Sequence, residues 1–192
     1  MKLVFATRNP GKLREVRKML PEGISLLSLD AIGCTSEIPE TEPTLEGNAG
    51  LKARYVSDNF RMDCIADDTG LEVAALGGAP GVYSARYAGP AADPEANMRK
   101  LLAAMEGKED RRARFRTVIA LCLGGQFHYF EGVVNGELLK APRGTGGFGY
   151  DPVFQPEGSP RSFAEFTTDE KNSISHRGKA FRALDAFLRT RV

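Results

Sequence analysis

The sequence predicts an α/β fold built on a mixed β-sheet, and three observations carry that prediction. Short apolar runs of strand length are interspersed with segments whose apolar residues recur at helical spacing. Two of those segments open with Asn9-Pro10 and Asp93-Pro94, a capping side chain followed by a residue preset for the first helical position. Two further apolar runs flank Gly124-Gly125-Gln126, a tight hairpin that requires antiparallel pairing within the sheet. Strands and helices mixed in this way stack as layers of an α/β protein.

Taken in order, Leu3 to Ala6 read as a short buried strand, and Asn9 caps a helix carrying Leu13, Val16 and Leu20. Ile24 to Leu29 is a second apolar run, followed by an acidic, proline-bearing loop from Glu37 to Glu42. A helix is expected near Thr44 to Asn59, with Leu45, Ala49, Ala53 and Val56 on one face, and Cys64 to Ala66 reads as the next strand. After Gly70, LEVAALGGAPGVYSARYAGP begins as a strand and breaks into a glycine and proline loop too irregular for one regular element. Asp93-Pro94 starts a helix to about Met105, stopped by Gly107, and Phe115 to Leu123 and Phe127 to Leu139 form the hairpin. Thr167 and Glu170 match a capping box, and Ala180, Phe181, Leu184, Phe187 and Leu188 make the apolar stripe of a final helix.

At 192 residues the chain fits one domain or two closely packed lobes, and a domain of that size buries roughly 70% of its unfolded surface. A net charge of +1 supplies no bulk field for a nucleic-acid backbone or an anionic membrane, so any anion must be held by local charges. Cys34, Cys64 and Cys122 lie far apart, form no CxxC and are odd in number, so neither a disulfide framework nor a zinc ribbon is indicated and a reducing cytosol fits. Only a few apolar residues precede Arg8 in MKLVFATRNPGK, too few for a signal h-region or a membrane span. A soluble intracellular protein is expected.

Three clusters could carry chemistry. Thr7 to Lys12, T-R-N-P-G-K, sits where the first strand meets the first helix, and outward N–H groups with Thr7, Asn9 and Lys12 offer donors to a phosphate. It lacks the GxxxxGK[ST] pattern, so a capped helix with a surface lysine reads equally well. The second cluster is acidic: Glu37, Glu40 and Glu42 in one loop, with Asp67 and Asp68 in I-A-D-D-T-G. Adjacent strand residues face opposite ways, so both aspartates reach one ion only if the chain turns between them. Carboxylates near phosphate suit magnesium, whereas an Asx turn before Gly70 accounts for the pair without any metal. The third is G-T-G-G-F-G-Y-D-P, where Gly144, Gly146, Gly147 and Gly149 enclose Phe148, either a buried anchor for a long loop or, as the glycine density favours, an aromatic face on which a base can stack. Lys171 to Gly178, K-N-S-I-S-H-R-G, adds cations and donors just before the last helix. His128 reads as a structural strand residue.

Together these clusters resemble the inosine triphosphate pyrophosphatase family, also described as XTP/dITP pyrophosphatases. The resemblance runs nearly end to end, through T-x-N-x-x-K, G-N-A-G-L-K-A (Gly47 to Ala53), A-D-D-T-G-L-E-V (Ala66 to Val73) and G-G-A-P-G-V-Y-S-A-R-Y-A-G (Gly77 to Gly89). It continues through G-T-G-G-F-G-Y-D-P and E-K-N-S-I-S-H-R-G-K-A (Glu170 to Ala180). Two departures are Glu46-Gly47-Asn48 where many members read E-N, and Thr69 where Ser is frequent; neither removes a needed group. The resemblance implies one domain over residues 1–192, with a long mixed sheet, flanking helices and two lobes around a central nucleotide-binding cleft. It also implies a cytoplasmic homodimer that hydrolyses ITP, dITP and XTP to monophosphate and pyrophosphate with magnesium. Asp68 would be the base and a metal ligand, Glu40 the second ligand and Asp67 its support. Thr7, Arg8, Asn9, Pro10, Gly11, Lys12 and Lys52 would surround the phosphates. Thr69, Phe148, Gly149, Tyr150, Asp151, Lys171, His176 and Arg177 would complete the substrate site, Phe148 stacking on the purine.

Other readings are a nucleotide sensor without hydrolysis, a septum-formation type of nucleotide pyrophosphatase, and an RNA-binding module. Glu40 and Asp68 argue against the first. The second opens with a serine and arginine loop, unlike T-R-N-P-G-K. The third would need a basic stripe with aromatics, and RRARFR, Arg111 to Arg116, reads instead as a solvated loop and strand edge.

Overall fold

The first strand, β1 (Lys2–Phe5), is the apolar run expected at the start of the chain, and its register with β2 (Ser25–Ser28) is parallel, Lys2 opposite Ser25. The computed structural model describes residues 1–191. Helix α1 (Pro10–Arg17) starts as its cap dictates: Asn9 is extended, Oδ1 accepts from the N–H groups of Gly11 and Lys12, and proline takes the first position. Leu20 lies beyond the helix end, because the turn runs out before Pro21. Helix α2 (Leu45–Phe60) is capped by Thr44, whose Oγ1 accepts from Gly47 N–H at 3.0 Å.

Strand β3 (Cys64–Val73) is much longer than Cys64 to Ala66 and runs straight through Asp67 and Asp68. Gly70, a turn signal in the sequence, instead admits a neighbour: a Cβ there would fall 2.7 Å from the carbonyl oxygen of Gly81 on β4 (Pro80–Gly81), which pairs antiparallel with β3. Helix α3 (Pro94–Ala104) begins under Asp93, whose Oδ1 accepts from Glu95 N–H. Strands β5 (Arg112–Leu123) and β6 (Gln126–Leu138) meet at Gly124 and Gly125, whose φ values of 56° and 81° are those of a two-residue hairpin turn. Within R-R-A-R-F-R, Ala113 and Phe115 are buried while Arg112 and Arg114 are exposed, the alternation of a strand with one solvated face. A short strand, β7 (Phe154–Pro156), pairs antiparallel with the end of β6. The capping box of Thr167 and Glu170 starts α4 (Thr168–Ile174), and an extended Ser175 separates it from α5 (His176–Arg189).

The strand order is β2-β1-β3-β5-β6-β7, with β4 on β3, a mixed sheet as expected. The chain divides into two compact units. The first holds Met1–Asp68, Thr117–Gly132 and the chain from Gly178 onward; its core includes Leu3, Phe5, Ile65, Ile119, Phe181 and Leu184, with Phe5 edge-on to Phe181. The second holds Thr69–Arg116 and Val133–Arg177, packed around Leu71, Leu101, Phe115, Phe154 and Phe163. Among the described residues no helix is long and apolar enough to cross a membrane.

Candidate active site

In the first unit the loop from β1 to α1 brings Thr7 to Lys12 together. Thr7 Oγ1 accepts from Asn9 N–H at 3.2 Å, and Asn9 Oδ1 takes the N–H groups of Gly11 and Lys12, so these helix donors already have acceptors. Arg8 clamps the following loop, donating to Asp30 Oδ1 at 3.1 Å and to the carbonyls of Cys34 and Ser36. Lys12 turns toward β3, its Nζ 3.1 Å from Asp67 Oδ1.

Strand alternation separates the two aspartates, and each meets its own lysine. Asp67 pairs with Lys12 of α1; Asp68 lies 3.5 Å from Lys52 Nζ of α2. Lys52 also donates to Glu40 Oε1 at 2.5 Å, so one ammonium joins the acidic loop to the strand. Asp68 Oδ2 accepts from Asn48 Nδ2 at 3.2 Å, and Asn48 Oδ1 accepts from Glu42 N–H at 2.9 Å. Burial pushes the Asp68 carboxyl up, Lys52 and Lys12 draw it back, and Glu40 and Asp67 push it up again; the net position lies above the usual carboxylate range. Burial alone would pull the Lys52 ammonium down, but Asp68, Glu40 and Asp67 outweigh it and hold it above the ordinary lysine value. A buried carboxylate of raised basicity, with a permanent cation beside it, can accept a proton from a bound water.

Two hard carboxylate oxygens, Glu40 Oε1 and Asp68 Oδ1, converge on that one cation. Such a donor pair fits a divalent cation that keeps several waters and takes its other ligands from phosphate. Among the described residues no group of three or more His, Cys, Asp or Glu gathers as an all-protein cage.

In the second unit the glycine loop folds over a charged centre. Asp151 Oδ2 accepts from Phe148 N–H at 2.8 Å and from Lys171 Nζ at 2.7 Å. The Lys171 ammonium sits 4.6 Å from the Phe148 ring centroid and the Arg177 guanidinium 5.6 Å, while Arg177 Nη2 donates to Thr69 Oγ1. Arg177 is 1% exposed, a fully buried cation held beside a half-buried aromatic. His176 is buried with its ring stacked on Phe115, centroids 4.6 Å apart. Tyr150 belongs to the core, its hydroxyl donating to the Ser84 carbonyl at 2.8 Å, and Gly149 makes its turn at φ 63°. A groove of about 760 Å³ elsewhere in this unit is lined by Glu72, Arg112, Arg114, Glu137 and Gln155 among others, and includes none of these site residues.

Lys52 of α2 is among the residues to which the sequence points, whereas Asn48 is not. The signal was present: Leu45, Asn48, Ala49, Lys52, Ala53 and Val56 are the buried stripe of α2, and a polar residue one turn before a buried lysine marks a satisfied polar face.

A family model described as the Ham1 family matches residues 3–187. A dITP/XTP pyrophosphatase of Christiangramia forsetii is 55% identical over 188 residues, covering 98% of this chain and 99% of its own. A Ham1 protein of Staphylococcus aureus superposes with a TM-score of 0.90 at 37% identity, with 100% of both chains covered. A HAM1 protein from Coxiella burnetii does so with a TM-score of 0.91 at 38% identity over 99% of each chain.

Proposed function

The chain belongs to the Ham1 family, and from that premise we propose that it hydrolyses deaminated purine nucleoside triphosphates to the monophosphate and pyrophosphate. Its relatives include dITP/XTP pyrophosphatases, and ITP, dITP and XTP are the substrates proposed here. The observation that carries the reading is Asp68: a buried carboxylate of raised basicity, fixed by Asn48 and Lys52 and facing the same ammonium as Glu40.

Asp68 orients the attacking water and takes its proton as the oxygen bonds to the α-phosphorus; pyrophosphate departs with the electron pair of the α-β anhydride. General-base help of this kind contributes about 10² to 10⁴-fold. Lys12 and Lys52 offset phosphate charge, and Thr7 and Asn9, in the loop that leads to Lys12, would lie toward the phosphates. Glu40 and Asp68 would hold magnesium, which supplies polarisation of phosphoryl oxygens and stabilises the leaving group's charge when bound. The protein acts as a cytoplasmic homodimer in this reading.

The base is read by the second cluster. Phe148 offers a stacking face, and Lys171 and Arg177 bring two positive charges against Asp151's one. Donors of this kind suit the 6-oxygen of hypoxanthine and xanthine and leave the 6-amine of adenine facing another donor. An unpaired buried group costs about 1–3 kcal/mol, enough to reject ATP. The test is pyrophosphate release from ITP, dITP, XTP, GTP and ATP with and without magnesium. Release from the deaminated nucleotides well above ATP, and only with the metal, is expected; equal rates on ITP and ATP would remove the proposed function.

A further inference from the structure

Asn48 has no exposed surface, yet both ends of its amide are engaged. Oδ1 accepts from the backbone of Glu42, in the loop that carries Glu40, and Nδ2 donates to Asp68 Oδ2. One turn along the same helix, Lys52 faces the other oxygen of Asp68 and also Glu40. The Asp68 carboxylate is therefore gripped on both oxygens from α2, by a neutral donor on Oδ2 and a cation on Oδ1. Two grips fix the plane of a carboxylate, and hence the direction of its free lone pairs, where one would leave it to rotate about χ2.

We infer that Asn48 is a positioning residue for hydrolysis: its amide sets the rotamer of the Asp68 carboxylate and ties the Glu40 loop to the same helix. The inference rests on the reading of Asp68 as the base. A lysine alone cannot do this, because an ammonium is a rotatable point donor, whereas an amide offers a donor and an acceptor in one plane. Leucine would fill the same space with no polar group to desolvate, so an amide at a fully buried helix position is accounted for by its two bonds rather than by packing.

The experiment separates the two bonds. Asn48→Asp keeps the shape and an acceptor for Glu42 N–H but turns the donor to Asp68 into a facing carboxylate oxygen; Asn48→Leu removes both bonds without adding charge. Partners that orient a reacting or ligating carboxylate are worth about 10 to 100-fold, so kcat on ITP should fall by that much in both variants. KM for ITP should stay within about threefold, since Lys12 and the Phe148 cluster are untouched. Asn48→Leu should also weaken manganese binding, titrated without nucleotide, by about tenfold as the Glu40 loop loses its anchor. Asn48→Asp carries the test if Asn48→Leu does not fold. A kcat within about twofold of wild type in Asn48→Asp, or a loss carried by KM alone, overturns the inference. Asp68→Asn is run beside them: full turnover there overturns the reading of the base and the inference with it, whereas loss there with turnover kept in Asn48→Asp overturns the inference alone.

Discussion

Asp68 is ionised at a cost that the fold partly offsets. Burial raises its pKa, Lys52 and Lys12 pull it down, and the balance leaves it above the ordinary carboxylate value, about 4. The folded state therefore binds this proton more tightly than the unfolded chain does. Stability from Asp68 is fully present below the unfolded value and is lost as pH rises through the folded one. Without divalent metal, wild type should lose stability relative to Asp68→Asn across that window and run parallel to it above. Thermal melts in EDTA from pH 3 to 8 would check the sign; a gap that moves the other way would mean that the lysines outweigh burial. Asp67 and Asp68 could be assigned to opposite faces from strand alternation, but which lysine each meets could not, because Lys12 and Lys52 approach from different helices. Asn48 escaped for a related reason: its partners, Glu42 and Asp68, are 6 and 20 residues away, one in a loop with no regular pattern.

Elements whose limits are set locally were legible. Asn9, Asp93 and Thr167 each cap a helix as expected of them, and Thr44 caps the helix expected near it, since a cap is a bond between a side chain and its own next turn. Elements set by distant partners were not. Gly70 continues a strand because Gly81 lies against it, and β7 exists because the backbone of Gln155 packs where a side chain at Gly136 would be. The glycine loop before Asp151 shows both kinds. Its glycine density marked it as a ligand loop, yet the particular need at Gly147 is structural: φ is 70°, and a Cβ would fall on the Asp151 carboxylate. Gly147→Ala should therefore cost about 1–2 kcal/mol for the left-handed backbone alone. It should also push Asp151 off Lys171 and Phe148 N–H and narrow the preference for ITP over ATP. Urea titration and the ratio of kcat/KM on the two nucleotides would check both effects. A destabilised variant with an unchanged ratio would show that Asp151 does not organise the base cluster.

At the scale of the molecule, length and patterning reached one domain or two closely packed lobes, while which segments make up each unit was not readable. Each unit is assembled from separated segments, and β3, β5 and β6 each pass from one unit into the other. A hydrophobic period records that a strand is buried, not which core it enters, so Ile65 and Leu71 look alike in sequence though they belong to different cores. The three cysteines provide a probe of one unit. Cys34, Cys64 and Cys122 all lie in the first, all are buried free thiols, and burial pushes the Cys64 thiol well above the ordinary range. Reaction needs an exposed thiolate, so each thiol reacts only when the structure around it opens. Native protein should give almost no colour with a disulfide reagent at neutral pH, and denatured protein three equivalents. Cys64 and Cys122 sit on β3 and β5, central in the strand order, and should share one opening rate, equal to that of global unfolding. Cys34 follows a short helical turn that Arg8 clamps, and should open faster. Stopped-flow labelling in increasing urea resolves these rates. Uniform rates at all three thiols would mean that the Arg8 clamp makes the 30–36 loop as stable as the sheet, whereas faster loss at Cys34, enhanced by Arg8→Ala, would show that this clamp sets the loop's local stability.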